Sequence, residues 1–283
     1  MTWNMSRLLI FGLGYTATHL AARLRDEGWQ VVGTTRDGRG ETIAFDDEPR
    51  VRAEIAAATH LLSSVPPADG GDPVLARYGA TLREHRGWIG YLSSTGVYGD
   101  VGGAWVDESA AVGTGRRGAR AEADAAWLAL GARVFRLPGI YGPGRSALDR
   151  VRAGTAHRVA APGQVFSRVH VDDIASGVIA AFDGPGGAYN LADDTPAPQN
   201  EVVAFAARLL DMAPPESIPL DRLSPAARGF YTENRRVATG KAKRVLGWAP
   251  TFADYRAGLR ALNATTSPIS VSSPPPSASG VQR

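Results

Sequence analysis

A glycine-rich turn near the start of the chain has the residue types and spacing that bind a nucleotide diphosphate. The apolar run Arg7–Phe11 predicts a buried strand, and a Gly-x-Gly-x-x-Ala pattern follows it. Gly12 permits a sharp turn, and Gly14 lets the backbone approach a phosphate, because neither has a Cβ atom. The helix that follows would point free N–H groups at the anion, whereas the alternative is an ordinary tight turn. The residues expected to bind the diphosphate are Gly12, Gly14, Tyr15, Thr16 and Ala17.

The end of the second predicted strand, Gln30–Thr35, bears on the choice of dinucleotide. NAD-binding proteins usually have an acidic residue there for the ribose hydroxyls, whereas this chain continues Thr34, Thr35, Arg36. An arginine can bind a 2′-phosphate that a carboxylate would repel. We therefore expect NADP rather than NAD, with Thr35 and Arg36 at the cofactor. The alternative is that Arg36 is a solvated loop residue.

Strand-like and helix-like segments alternate through the first half of the chain, which predicts an α/β fold with a Rossmann-type, doubly wound parallel sheet. We expect a dinucleotide-binding domain over 1–150 that also receives later segments, a small substrate lobe over 151–263, and a disordered Ser/Pro-rich tail over 264–283. In the lobe, Val159–Ala161 and Val165–Val169 flank Pro162-Gly163 and predict a hairpin. Strand ends elsewhere add Ser64, Val65 and Pro138 to the cofactor residues.

Composition excludes several classes of function. The 283 residues contain no cysteine, which rules out disulfides, thiolate metal sites and a cysteine nucleophile, and the five histidines lack metal-ligand spacing. A net charge of +3 without a basic stripe argues against nucleic-acid binding. No apolar run reaches the length of a membrane span, and no signal peptide is recognisable. We expect a cytoplasmic protein that binds a small-molecule substrate and neither metal nor membrane.

Several motifs in a characteristic order give the chain a family resemblance. After the glycine turn come Ser93–Gly99, Arg136–Gly144, His170–Asp173 and Leu246–Pro250. With them the chain resembles the extended short-chain dehydrogenase/reductase family, the nucleotide-sugar epimerase and dehydratase group, over about residues 7–262. The resemblance implies an oxidoreductase or epimerase-like enzyme with a nicotinamide dinucleotide cofactor and a polar substrate, either with or without a linked nucleotide. A homodimer through two long helices beside the sheet is common in that family, and the helix predicted at Arg116–Leu130 is a candidate for that contact.

The resemblance also implies roles for individual side chains. Ser94 stands where the family has a hydroxyl that hydrogen-bonds the substrate oxygen; the alternative is that Ser94 caps a turn. Arg145 is a candidate for an anionic substrate group, and Asp172 is expected to cap the next helix. The remaining substrate candidates are Thr95 and His170, and the tyrosines considered for catalysis with Ser94 are Tyr98 and Tyr141.

One departure from the family concerns its acid/base pair. That pair is a tyrosine with a lysine four residues later, whose charge lowers the pKa of the phenol. This chain has Thr114 and Gly118 at the two positions. Either another group exchanges the proton, or the protein binds cofactor without turnover as a sensor or interaction protein. In the first account the proton comes from Tyr98, Tyr141 or His170, and the positive field comes from Arg116, Arg117 or Arg120.

Overall fold

The computed structural model describes residues 6–68, 70–113 and 118–266. Its strands are β1 (Arg7–Phe11), β2 (Gln30–Thr35), β3 (Ile43–Ala44), β4 (His60–Ser63), β5 (Trp88–Ser94), β6 (Trp105–Val106), β7 (Arg133–Leu137), β8 (Gly139–Tyr141), β9 (Arg158–Val159), β10 (Arg168–His170), β11 (Gly187–Asn190), β12 (Ser217–Ile218) and β13 (Arg236–Val237). Its α-helices are α1 (Tyr15–Asp26), α2 (Glu48–Ala57), α3 (Pro73–Glu84), α4 (Gly118–Ala129), α5 (Ala147–Arg152), α6 (Val171–Ala180), α7 (Gln199–Leu209), α8 (Pro225–Arg228), α9 (Gly240–Leu246) and α10 (Tyr255–Thr266).

Seven strands form one parallel sheet in the order β3-β2-β1-β4-β5-β7-β11. The interior strand β1 pairs with β2 on one side and with β4 on the other, so that Ile10 stands between Gly33 and Leu62. The chain therefore runs outward in one direction and then returns to build the other half. This reversal opens a crevice at the carboxyl ends of the strands, where ligands bind in folds of this kind. The expected Rossmann-type doubly wound sheet is confirmed.

Helices cover both faces of the sheet because its central strands are apolar on both sides. Leu8, Leu9, Ile10 and Phe11 of β1 are all fully buried, and alternate residues enter different clusters. One cluster includes residues of α1 and α6, and the other includes residues of α2, α3 and α4. Burying an apolar strand from both faces is the usual requirement of a parallel sheet. The helices thus hold β1 and the turn after it in a fixed position.

A smaller lobe packs at the carboxyl edge of the sheet. Its core joins α5, α7 and α10, with side chains such as Leu148, Val203 and Leu259 fully buried. Short parallel pairs, β8 with β10, β9 with β12 and β6 with β13, connect distant parts of the chain. The expected boundary near residue 150 lies inside α5, which packs with the lobe. Strand β11 follows residue 150 in the sequence but pairs with β7 in the main sheet. It is therefore one of the later segments that join the first domain.

Two sequence predictions need correction. The hairpin predicted around Pro162-Gly163 does not form, because β9 pairs in parallel with β12 and β10 pairs in parallel with β8. Residues 264–266, predicted to belong to a disordered tail, form the end of α10 instead. Residues 267–283, the rest of that predicted tail, lie outside the described part of the chain. In the described ranges, every helix is too short or too polar to cross a membrane.

Candidate active site

The turn after β1 is built around Gly12. Its φ of +81° lies in the left-handed region, and a Cβ atom there would meet Val65 Cγ2 at 2.8 Å. The Gly12 N–H donates to Thr34 Oγ1 at 3.2 Å, which ties the turn to the end of β2. The turn therefore requires glycine at this position for both conformation and space. Val65, expected at the cofactor, contributes by packing against the turn.

Among the described residues, nothing requires glycine at position 14. Its φ of −89° suits any residue, and a Cβ atom there would have no neighbour within 4 Å in that part of the chain. It is the N-cap of α1, and no side chain of the described ranges caps that helix. The first-turn N–H groups, including those of Tyr15 and Thr16, are thus left for another acceptor, while Ala17 is buried in the core. An uncapped helix end beside open space fits a diphosphate.

The side chains at the end of β2 divide into buried and exposed groups. Thr34 is buried against the glycine turn, and the Thr35 hydroxyl lies 2.7 Å from the Thr42 hydroxyl. Arg36 and Asp37 are both exposed. A hydrogen bond from its own backbone N–H, with help from the Thr35 hydroxyl, keeps the pKa of Asp37 below its usual value. A cation for a 2′-phosphate and a carboxylate for ribose hydroxyls are therefore neighbours here.

A cavity of about 930 Å³ runs from this edge of the sheet into the lobe. At the sheet end it is lined by Thr16 after β1, Ser64 after β4, Ser94 and Thr95 at the end of β5, and Pro138 after β7. The carboxyl ends of four neighbouring strands therefore meet at one opening. Of the expected cofactor residues, Thr16, Ser64 and Pro138 lie together on this wall.

Ser94 has a geometry that serves two roles. Its hydroxyl oxygen accepts the Gly96 N–H at 3.1 Å and caps the short 3₁₀ helix Thr95–Tyr98, as the turn-cap alternative predicts. Among the described residues its own O–H has no acceptor, and the side chain lines the cavity. The hydroxyl can therefore donate to a substrate oxygen without giving up the cap.

Tyr98 does not face the cavity. Its hydroxyl donates to Asn190 Oδ1 at 2.8 Å and accepts from Arg136 Nη1 at 3.0 Å, and the residue is buried. Burial raises the pKa of this phenol. We correct the expected catalytic role, because the hydroxyl is committed to internal hydrogen bonds beneath the end of β5.

Tyr141 and His170 also lie away from the cavity wall, with their rings 5.1 Å apart. Burial raises the pKa of Tyr141 and lowers the pKa of His170. His170 Nδ1 accepts the Asp172 N–H at 3.2 Å, so His170, not Asp172, is the N-cap of α6. Asp172 falls in the first turn because the helix already begins at Val171. Catalysis by Tyr141 and substrate binding by His170 are therefore corrected to structural roles.

The family's lysine position offers no charge. Gly118 begins α4, whereas Thr114 and the candidates Arg116 and Arg117 lie outside the described residues. Arg120, in the first turn of α4, lines the cavity and donates to the Tyr91 hydroxyl at 3.4 Å. Arg120 thus supplies a positive charge at the sheet end of the cavity.

Arginines line the cavity more densely than the motifs predict. Arg145 lines the cavity with its guanidinium 5.4 Å from the centroid of the Tyr15 ring. The other arginines of the lining are Arg120, Arg150, Arg168 and Arg235. The acidic residue among the described lining residues is Glu233. No local motif marks Arg150, Arg168 and Arg235, so the sequence alone does not predict them at the site. The cavity is therefore electropositive and suited to an anion.

Comparison with curated proteins matches only part of the chain, and no family model matches it. A curated relative, 3-diazoavenalumate denitrifying reductase from a Streptomyces species, is 34% identical over 142 residues, covering 46% of this chain and 46% of the relative. The match thus spans less than half of that relative's length.

Several solved structures match almost the whole chain. A human epimerase family protein with NADPH is 17% identical, with a TM-score of 0.71 and coverage of 91% of this chain and 99% of that one. Other matching structures of this fold were determined with NAD. A conserved protein of unknown function from Silicibacter pomeroyi is 41% identical, with a TM-score of 0.80 over 92% of this chain and 99% of its own. The chain therefore belongs to one family with the Silicibacter pomeroyi protein and has the fold of the extended short-chain dehydrogenase/reductases.

Proposed function

We propose that the protein is an NADP-dependent oxidoreductase that reduces or oxidises an anionic substrate in the arginine-lined cavity. The observation that carries the proposal is the uncapped start of α1, where a Cβ atom on Gly14 would meet nothing within 4 Å. That opening continues into the cavity lined by Ser94 and Pro138. The name of the curated relative, a reductase, supports the same class of chemistry.

Separate residues are assigned to the cofactor and to the substrate. The turn at Gly12 and Gly14 would hold the diphosphate, and Arg36 would bind the 2′-phosphate. A bound nicotinamide dinucleotide supplies or accepts a hydride. Ser94 donates a hydrogen bond to the substrate oxygen, and Arg120 stabilises negative charge that develops there.

The departure from the family's acid/base pair restricts the chemistry. Thr114 and Gly118 carry no group that titrates near neutral pH. Tyr98 and Tyr141 are buried and lie off the cavity lining. The proposed enzyme therefore relies on hydrogen bonding and positive charge, with any proton exchanged with water in the open cavity.

An activity screen tests this proposal. NADPH oxidation is followed by absorbance with aldehydes, ketones and nucleotide sugars as substrates, in the wild-type protein and in Ser94→Ala. We expect turnover that falls about 10²-fold or more in Ser94→Ala, because one hydrogen bond to a developing oxyanion is lost. Ser109→Ala, which changes an exposed serine outside the cavity lining, is the control.

The rival function, a dinucleotide-binding sensor without turnover, predicts a different result. Tight NADPH binding with no oxidation across the whole panel would favour it. Turnover that Ser94→Ala leaves unchanged would contradict the assigned role of Ser94.

A further inference from the structure

The half of the cavity that lies in the lobe combines one unpaired cation with apolar walls. Its cation is Arg150 of α5, whose side chain is exposed to the cavity. Among the described residues, no carboxylate lies within ion-pair distance of Arg150, and no oxygen accepts from its guanidinium. The protein around its guanidinium lowers the pKa of this arginine. A partly desolvated guanidinium without a partner is best satisfied by an anion.

The other arginines of the lining are already engaged. Arg168 donates to the carbonyl oxygens of Phe166 and Ala197 at 2.7 and 2.9 Å, and to Gln199 Oε1 at 3.0 Å. Arg235 pairs with Glu233 at 2.9 Å. Arg145 lies over Tyr15, beside the glycine turn, and so belongs to the sheet end of the cavity. In the lobe half, therefore, the described residues offer one free positive charge.

The walls near this charge are aromatic and aliphatic. Phe166 and Tyr231 pack edge to face with ring centroids 5.4 Å apart. Phe230 is 56% exposed although its side chain is large and apolar, and it lines the cavity. Leu223 and Val165 complete this wall. An exposed phenylalanine at the rim of a cavity favours an apolar ligand surface.

We infer that the substrate of the proposed oxidoreductase is an aromatic monocarboxylate, with its carboxylate on Arg150 and its planar body between Phe166, Phe230 and Tyr231. The inference rests on the proposed function and narrows its substrate class. One guanidinium balances one carboxylate and matches its two oxygens in a planar, bidentate arrangement. A nucleoside diphosphate carries at least two negative charges and would leave one unpaired in this half of the cavity.

Isothermal titration calorimetry of the NADP⁺-loaded protein tests the inference with cinnamate, cinnamamide and UDP-glucose as probes. Cinnamate and cinnamamide share a shape and differ in charge. We expect cinnamate to bind at least about tenfold more tightly than cinnamamide, and more tightly than UDP-glucose. Arg150→Gln should abolish the preference for the acid, and Phe230→Ala should weaken the acid and the amide equally.

Arg152→Gln is the matched control, because Arg152 is an exposed arginine of the same helix that donates to Asn263 and lies outside the cavity lining. It should leave cinnamate binding unchanged. Equal affinity for cinnamate and cinnamamide, tighter binding of UDP-glucose, no binding of cinnamate, or an Arg150→Gln variant that behaves like wild type would each overturn the inference. NADP⁺ titrations of the same samples report separately on the cofactor site, so its failure is distinguishable.

Discussion

Arg136 on β7 and Asp124 on α4 form a buried ion pair with two hydrogen bonds, from Nε at 3.1 Å and from Nη2 at 2.7 Å. Their side chains are 4% and 1% exposed. The Asp124 carboxylate also accepts from Ser93 Oγ at 2.7 Å, and Arg136 donates to the Tyr98 hydroxyl. The pair thus joins α4 to β7 and contacts both Ser93 and Tyr98, the two ends of the segment that carries Ser94. Although burial opposes its charge, the bonds to Asp124 raise the pKa of Arg136.

Removal of Asp124 should destabilise the fold strongly. Asp124→Ala leaves the buried guanidinium without a counter-charge, and we expect it to lower the free energy of unfolding by about 3–5 kcal/mol. Ser93→Ala removes one hydrogen bond to the same carboxylate and should cost about 1 kcal/mol. Urea denaturation measures both. An Asp124→Ala protein no less stable than Ser93→Ala would contradict the importance assigned to the pair.

Asp193 gives the stability of the protein a pH dependence. The residue is 2% exposed, and neither carboxylate oxygen makes a hydrogen bond of normal geometry among the described residues, although the Thr195 N–H lies near enough to lower the pKa of Asp193. Burial raises its pKa from 3.8 to about 8, despite attraction to Arg168. Between these pH values the folded protein keeps a proton on Asp193 that the unfolded chain releases. The stabilisation of the folded state by this proton is therefore full below about pH 4 and is lost as the pH rises through 8.

Asp193→Asn should accordingly raise the melting temperature relative to wild type more at pH 9 than at pH 5. Thermal unfolding followed by circular dichroism at the two pH values measures the difference. Asp194→Asn is the control, because its neighbour Asp194 is exposed and pairs with Lys243 at 2.6 Å on the surface. A melting-temperature difference between Asp193→Asn and wild type that does not change with pH would show that Asp193 does not titrate in this range.

Arg36 should set the preference for NADP over NAD. Arg36→Ala removes an exposed guanidinium at the end of β2. We expect NADPH affinity to fall about tenfold, about 1.4 kcal/mol, with NADH affinity unchanged. Fluorescence titration with both reduced cofactors measures the effect, and Arg50→Ala, an exposed arginine on α2, serves as control. If wild type binds NADH more tightly than NADPH, Asp37 rather than Arg36 governs the choice.

The sequence predicts the sheet well because its signals are local. Strands β1 and β2 have the predicted bounds, because each contains an apolar run that ends at a turn. Helix α2 was missed although Asp47 accepts the Arg50 N–H as its cap and Pro49 follows in the first turn. Those two residues are a helix-start signal that could have found it.

The lobe and the distal part of the site depend on non-local contacts. Strand β9 pairs with β12, which is far along the chain, so a nearby Pro-Gly suggested the wrong partner. Arg150 lines the cavity only because α5 packs against α7 and α10. The pairing of Asp124 with Arg136 has no sequence pattern either. Family motifs placed Ser94 and Arg145 on the cavity, but they could not show that Tyr98 and Tyr141 turn away from it.

The most direct test of the cofactor site is the titration of purified wild-type and Gly14→Val proteins with NADPH. A Cβ atom on Gly14 lies in front of the uncapped α1 and has no neighbour within 4 Å among the described residues. Gly70→Val is the matched control, because a Cβ atom on Gly70 also has no neighbour within 4 Å and that residue lies outside the cavity lining. The proposal predicts saturable NADPH binding by wild type and Gly70→Val, and binding at least about tenfold weaker in a normally folded Gly14→Val. Equal binding by all three proteins, or no binding by wild type, would contradict it.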